Sequence, residues 1–337
     1  MGQIMVMRGD ERAEPFFRQA MELDSSRPEA AEGLFETLVL RVRRALESSG
    51  LDHLAIGGGV ETMSRAPYNL TAARWGARMG DTGAVDMMLG ALNDPFGGGH
   101  MGITAENVAK LYNISREEQD QFAADSQRKA LAAIEAGHFK SQIVPVELKT
   151  RKGVVSFDTD EHPKAGTTVE SLGSLRPAFV KQDGTVTAGN ASGLNDGAAA
   201  CVLMEAGAAA RANAKPLARL VSYAVAGVEP SLMGTGPIPA VKLALQRAGL
   251  SLDQMDVIES NEAFAAQSLG VCRGLDLDPA KTNPNGGAIA FGHPLGATGA
   301  MIFGMAIDEL ERTGKSTALV TLCIGAGMGT ATIIERV

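Results

Sequence analysis

The chain has 337 residues, a formal net charge of −8, and 45% hydrophobic against 21% charged residues, enough apolar material for one large α/β domain or two of ordinary size. An acidic balance, no Lys/Arg stripe and only 4% aromatic residues exclude a surface built to neutralise polyphosphate or stack bases, so nucleic acid is not an expected partner. Three widely spaced cysteines, Cys201, Cys272 and Cys323, with no Cys-x-x-Cys pair, exclude a disulfide framework or zinc knuckle and fit a cytoplasmic protein.

The opening "MGQIMVMRGDERAEP" meets charge within nine residues, so no signal peptide is expected. Residues 11–50 are helical in pattern, with Leu34, Leu38, Val42 and Leu46 along one stripe. "HLAIGGGVETMS" predicts a short buried strand, 53–56, ending in three glycines. Residues 65–102 are loop-rich and apolar enough to form contacts. Two or three helices follow, one opened by a capping box of Ser115 with Glu118. Short strands and loops occupy 140–190, and "GNASGLNDGAAACVLM" leads into a strand over 198–204.

From Pro216 the pattern alternates regularly: strand "LARLVSYAVAG", helix "IPAVKLALQRAGL", strand "DVIESN", helix "EAFAAQSLGVCRGL", a glycine-dense histidine loop, a helix "GAMIFGMAIDELERTG", and two strands around Cys323. Strands alternating with amphipathic helices imply an α/β domain with a largely buried sheet. A boundary is expected near 205–217, dividing the chain into 1–210, with a loop domain at about 65–185, and 211–337. The longest apolar run, 318–334, is interrupted by three glycines and too short to span a bilayer. No membrane association is expected.

Three polar residues stand at strand ends or loops in the second half. Asn261, in "SNEAF", has the position of a helix N-cap or of a functional amide. His293, in "NPNGGAIAFGHPLGATGA", is surrounded by glycines that would let a substrate reach its imidazole. Cys323 lies between the apolar "STALVTL" and the turn "IGAGMG", either a core thiol or a reactive one beside converging backbone N–H groups.

"GGGVETMSRAPY", "HMGITAENVA", "TAGNASGLNDGAAA", "NEAFAAQ", "NPNGGAIAFGHPLGATGA" and "CIGAGMG" resemble, in this order, the motifs of thiolases, the acetyl-CoA acetyltransferase and 3-ketoacyl-CoA thiolase family. The resemblance runs from about residue 53 to the C-terminus. It implies an α/β protein of the thiolase fold, layered α/β/α/β/α in two similar halves, that joins acetyl-CoA and an acyl-CoA to 3-ketoacyl-CoA and CoA, reversibly. His293 would be the base that activates a thiol and, with a water on Asn261, an oxyanion hole. Cys323 would carry the α-proton, its pKa tuned to near neutral, with the Gly325 amide serving a second oxyanion hole.

By the same resemblance Ser192 would contact the pantetheine arm, Lys164 and Ser171 the adenosine phosphates, and His100 with Met101 the acyl pocket, where the methionine favours short chains such as acetoacetyl. No permanently bound cofactor or metal is implied; coenzyme A thioesters are the substrates, and a homodimer or homotetramer is the expected assembly. One departure stands out. The family's acyl-accepting cysteine, in a Cys-x-x-Gly-Leu signature, would align with Ala30 through Gly33-Leu34, and no cysteine precedes residue 201. With the short, divergent N-terminus, this opens an alternative: an acyl-CoA-binding or subunit-interaction protein without catalysis.

Overall fold

The computed structural model describes residues 4–7 and 54–337. The helices expected over 11–50, with their leucine stripe, and Ala30 lie outside these residues. The elements that position the site begin with β1 (Ile4–Met7) and β2 (Leu54–Thr62), followed by α1 (Met101–Leu111), α2 (Arg116–Glu135), β3 (Val146–Thr150), β4 (Gly153–Phe157) and α3 (Val169–Gly173). Next come β5 (Asp196–Glu205), α4 (Ala206–Arg211), β6 (Ala218–Gly227), α5 (Pro237–Ala248) and β7 (Val257–Ser260). The chain closes with α6 (Ala265–Leu275), α7 (Ala288–Phe291), α8 (Thr298–Thr313), β8 (Thr317–Ile324) and β9 (Met328–Arg336).

Seven strands form one sheet in the order β7-β8-β9-β6-β1-β5-β2. Only β7 and β8 run parallel, with Ser260 opposite Thr321; the other neighbours are antiparallel. A parallel pair requires a crossover, here supplied by α6, α7 and α8. β3 and β4 form a separate, largely exposed hairpin.

The apolar runs of β7, β8 and β9 are continuous because both faces of this part of the sheet are covered. Val257, Val320 and Ile334 face one core with Ile302, Met305 and Leu310 of α8 and Ala130 of α2. Their sequence neighbours Ile258, Leu319 and Ile333 face the other, with Ala240, Val241 and Ala244 of α5. Period-two alternation thus sends successive apolar side chains to opposite cores. Each large one contributes about 1.5–3 kcal/mol.

The capping box that opens α2 is present: Ser115 Oγ accepts from the Glu118 N–H, and the Glu118 carboxylate accepts from the Ser115 N–H. Two expectations need correction. β2 does not stop before its glycines but runs through them, Gly57 to Gly59 pairing with Cys201, Ala200 and Ala199. The glycines are needed there because a Cβ on Gly59 would lie 1.6 Å from the carbonyl oxygen of Gly296, in the loop before α8. Asn261 is not an N-cap: α6 begins four residues later, preceded by Phe264, whose side chain makes no capping bond.

Candidate active site

β7 and β8 end side by side, and the residues emerging from their C-terminal ends converge. Open α/β sheets bind ligands at this end of parallel strands. Asn261 directly follows β7, its N–H donating to Thr321 O of β8 at 3.0 Å. Cys323 lies two residues further along β8, within the strand. The side chain of Asn261 is 2% exposed; its Nδ2 lies 3.3 Å from His293 Nε2, and its Oδ1 is buried without a protein partner. His293 Nδ1 lies 2.7 Å from Thr298 Oγ1 in the first turn of α8, and that hydroxyl is 2.9 Å from Pro294 O.

Burial lowers the His293 pKa from 6.5 to about 4, so the imidazole is neutral near pH 7. Cys323 responds in the opposite sense. It packs among Met101, Met233 and Ala263, and burial pushes its thiol up to about 12. These apolar surroundings hold the thiol protonated. Cys201 and Cys272 are also raised, chiefly by burial.

Two of the glycines around His293 are also required by the protein's own packing. A Cβ on Gly287 would lie 2.3 Å from Glu262 Cδ, and Gly292 has φ +86° with the Asn195 side chain 2.4 Å from where its Cβ would be. At these two positions the protein's own polar side chains press on the backbone. Glu262, fully buried next to Asn261, accepts from Ser126 Oγ at 2.6 Å, Asn283 Nδ2 at 2.8 Å and the Ile289 N–H at 3.3 Å. It ties the strand end carrying Asn261 to α2 and to the loop carrying His293. Its pKa is raised, burial outweighing these three bonds.

Of the remaining sequence candidates, Met101 lies in the same buried apolar cluster as Cys323. His100 caps α1, its Nδ1 accepting from the Gly102 N–H at 3.0 Å while the ring stacks on Phe179 with centroids 4.8 Å apart. Partial burial lowers its pKa. The Ser192 N–H donates to Ala263 O at 3.0 Å, and the Gly193 carbonyl accepts from the His293 N–H at 3.3 Å, so this loop joins both halves of the site. Gly325 opens the turn after β8, with nothing within 4 Å of where its Cβ would be.

Lys164 and Ser171 are not drawn into this cluster. Lys164 is exposed, and its N–H donates to Gln127 Oε1. The Ser171 hydroxyl closes a capping box on α3, donating to Thr168 O at 2.8 Å and accepting from the Thr168 N–H. Three contributors had been missed: Glu262, Thr298 and Met233. Glu262 was visible only as an acid between apolar elements, and Thr298 as a hydroxyl five residues after the histidine. Met233 carries no signal, because it arrives from a distant 3₁₀ turn. Among the described residues no His, Cys, Asp or Glu cluster could hold a metal ion, and no helix is long and apolar enough to cross a membrane.

A half-buried imidazole bonded to a buried amide just after β7, with a buried thiol near the end of the parallel β8, marks the polar cluster of an α/β protein. Residues 42–207 match the model of the thiolase N-terminal domain and residues 214–336 that of the thiolase C-terminal domain. The chain is 63% identical over 284 residues to beta-ketothiolase BktB of Cupriavidus necator, covering 84% of this chain and 72% of that protein. It is 57% identical over 283 residues to acetyl-CoA acetyltransferase of Escherichia coli, covering 83% and 72%. Human mitochondrial 3-ketoacyl-CoA thiolase in complex with CoA superposes with a TM-score of 0.81 at 44% identity, covering 91% of this chain and 74% of that one. The acetyl-CoA acetyltransferase of Bacillus anthracis gives 0.82 at 46%, covering 89% and 76%.

The chain belongs to the thiolase family and has its fold. Thiolases are acyltransferases whose substrates are coenzyme A thioesters rather than bound cofactors.

Proposed function

We propose that this chain is a thiolase-type acyltransferase for short 3-ketoacyl-CoA thioesters such as acetoacetyl-CoA, interconverting 3-ketoacyl-CoA plus CoA with acetyl-CoA plus acyl-CoA. The observation that carries the reading is the Asn261–His293 pair just after β7, with Cys323 near the end of the neighbouring β8. Neutral His293 accepts the proton of an incoming thiol and, with a water on Asn261, stabilises the thioester oxyanion. Cys323 delivers the α-proton to the departing enolate, or removes it in the reverse direction, with the Gly325 amide on the second oxyanion. A neutral base and a protonated thiol are the states from which thiolysis starts.

Met101, in one buried cluster with Cys323, narrows the acyl pocket beside His100. Ser192 meets the pantetheine arm; Lys164 and Ser171, on the outer loop and α3, serve the adenosine phosphates. The protein works in the cytoplasm as a homodimer or homotetramer, and the exposed Tyr68, Trp75, Met79 and Phe96 support self-association through the 65–102 loop. Size-exclusion chromatography with light scattering checks this; a monomer would contradict it.

A second reading, acyl-CoA binding without turnover, is favoured by one observation. No cysteine precedes residue 201, so a covalent acyl-enzyme at the position of Ala30 is unavailable, and double displacement depends on such an acceptor. Deuterium uptake at Cα of acetyl-CoA in heavy water tests the part of the chemistry that needs no acyl acceptor. Uptake with wild type that is lost in Cys323→Ala supports the assignment. Binding of acetyl-CoA without uptake or thiolysis would establish the second reading.

A further inference from the structure

Thr298 belongs to none of the roles above, yet it is 1% exposed and touches the ring nitrogen of His293 that faces away from Asn261. A neutral imidazole carries one ring proton, and the bond made by one nitrogen decides the state of the other. Three contacts run in series: Asn261 Nδ2 to His293 Nε2 at 3.3 Å, His293 Nδ1 to Thr298 Oγ1 at 2.7 Å, and Thr298 Oγ1 to Pro294 O at 2.9 Å. Pro294 O is a carbonyl and can only accept. Directed there, the Thr298 proton makes the usual back-bond of a threonine to the carbonyl four residues earlier, on an oxygen that also accepts from the Ala297 and Thr298 N–H groups.

With its proton committed, Thr298 Oγ1 is an acceptor toward Nδ1. Nδ1 then carries the imidazole proton, Nε2 has a free lone pair, and the Asn261 amide N–H₂ donates to it. All three contacts are satisfied. The opposite arrangement, with the proton on Nε2 and Thr298 donating to Nδ1, removes the hydroxyl's bond to Pro294 O and keeps only two. In either arrangement one end of the Asn261 amide lacks a protein partner, Oδ1 in the first and N–H₂ in the second, so the bond to Pro294 O makes the difference.

We propose that Thr298 is a positioning residue that sets the His293 tautomer, holding the proton on Nδ1 through the Pro294 carbonyl so that Nε2 stays a proton acceptor facing Asn261. The inference deepens the functional reading above, in which His293 is the base. It names which nitrogen accepts the proton and what keeps it free. The only chemical step is transfer of a thiol proton to the Nε2 lone pair, which gives an imidazolium with both ring protons held: Nδ1–H to Thr298 and Nε2–H toward the oxyanion.

The test is ¹⁵N NMR of histidine-labelled protein at pH 7, in which His293 is one of five histidines and is assigned by its loss in His293→Gln. Wild type should show Nε2 as an unprotonated, pyridine-type nitrogen and Nδ1 as a protonated, pyrrole-type one. Thr298→Ser, which keeps the hydroxyl, should leave the pattern unchanged. Thr298→Val, isosteric but without an acceptor, should shift it to the Nε2-protonated form or to a mixture. A wild-type His293 protonated at Nε2, or a Thr298→Val spectrum identical to wild type, would overturn the proposal.

Where wild type turns over acetoacetyl-CoA, Thr298→Val should lower kcat by about 10- to 100-fold with KM little changed, the cost typical of losing the partner that orients a working histidine, and Thr298→Ser should restore it. The spectrum is read without substrate. Failure of thiolysis would therefore sink the acyltransferase reading and leave the tautomer assignment to stand or fall by the spectrum alone.

Discussion

Protonating His293 should destabilise the folded chain by an amount that can be calculated. Its pKa falls from 6.5 to about 4 because burial disfavours the imidazolium; each unit is worth about 1.4 kcal/mol, so the full effect is roughly 3 kcal/mol. The unfolded chain binds the proton near pH 6.5 and the folded one only near 4, so folding stability from this group is present above 6.5 and lost as pH falls toward 4. By pH 5 the loss should be about 2 kcal/mol. The assay is urea unfolding of wild type and His293→Gln at pH 7, 6 and 5. Other acid-sensitive groups, such as His100, are common to both chains, so the change in the difference between them isolates His293. Wild type should lose about 2 kcal/mol more than the variant between pH 7 and 5. Parallel curves would refute the claim that His293 is held neutral by burial.

The remaining predictions concern the frame around the site and its pH profile. Gly287→Ala forces a methyl onto the Glu262 carboxyl, which must abandon some of its three partners; overpacking and stranded donors should cost about 2–4 kcal/mol, read as a lower urea midpoint, and a loss below about 0.5 kcal/mol would contradict the packing described. Glu259 is fully buried, its Oε1 has no partner, and its pKa is held well above 4.5, first by burial and then by Glu262 and Glu309. Its stabilising contribution is therefore complete below about pH 4.5 and lost as pH rises through its folded pKa. Glu259→Gln should be more stable than wild type at pH 8 and flatter in its pH dependence, and a variant less stable at pH 8 would refute this. For turnover, kcat/KM should show no acid limb near 6.5, because the free-enzyme base titrates near 4; an inflection at 6–7 would assign the base elsewhere.

Several local physical signals led to the right element. The runs of β7 and β8, the stripes of α5 and α8, and the capping box at Ser115 were readable because period and capping chemistry are local. The family motifs brought Asn261, His293 and Cys323 together as candidates. What stayed illegible depends on chain segments far apart in sequence. Gly57 to Gly59 looked like a strand end, yet they are strand residues, and the missing side chain of Gly59 admits the loop at Gly296. Of the glycines near His293, Gly287 and Gly292 also leave room for Glu262 and Asn195, which no local pattern announces. Asn261 matched an N-cap by composition, while its backbone is claimed by β8. Ser171 could be placed by motif, but not its engagement with Thr168.

The central claim is that this site transfers acyl groups. The most direct measurement is thiolysis of acetoacetyl-CoA by the purified chain with free CoA, counting acetyl-CoA formed, beside His293→Ala and Cys323→Ala. The account predicts two acetyl-CoA per acetoacetyl-CoA consumed, with rates falling by roughly 10²–10⁴-fold in either variant. Wild-type rates no higher than those of the two variants, from a chain that still binds CoA, would contradict it.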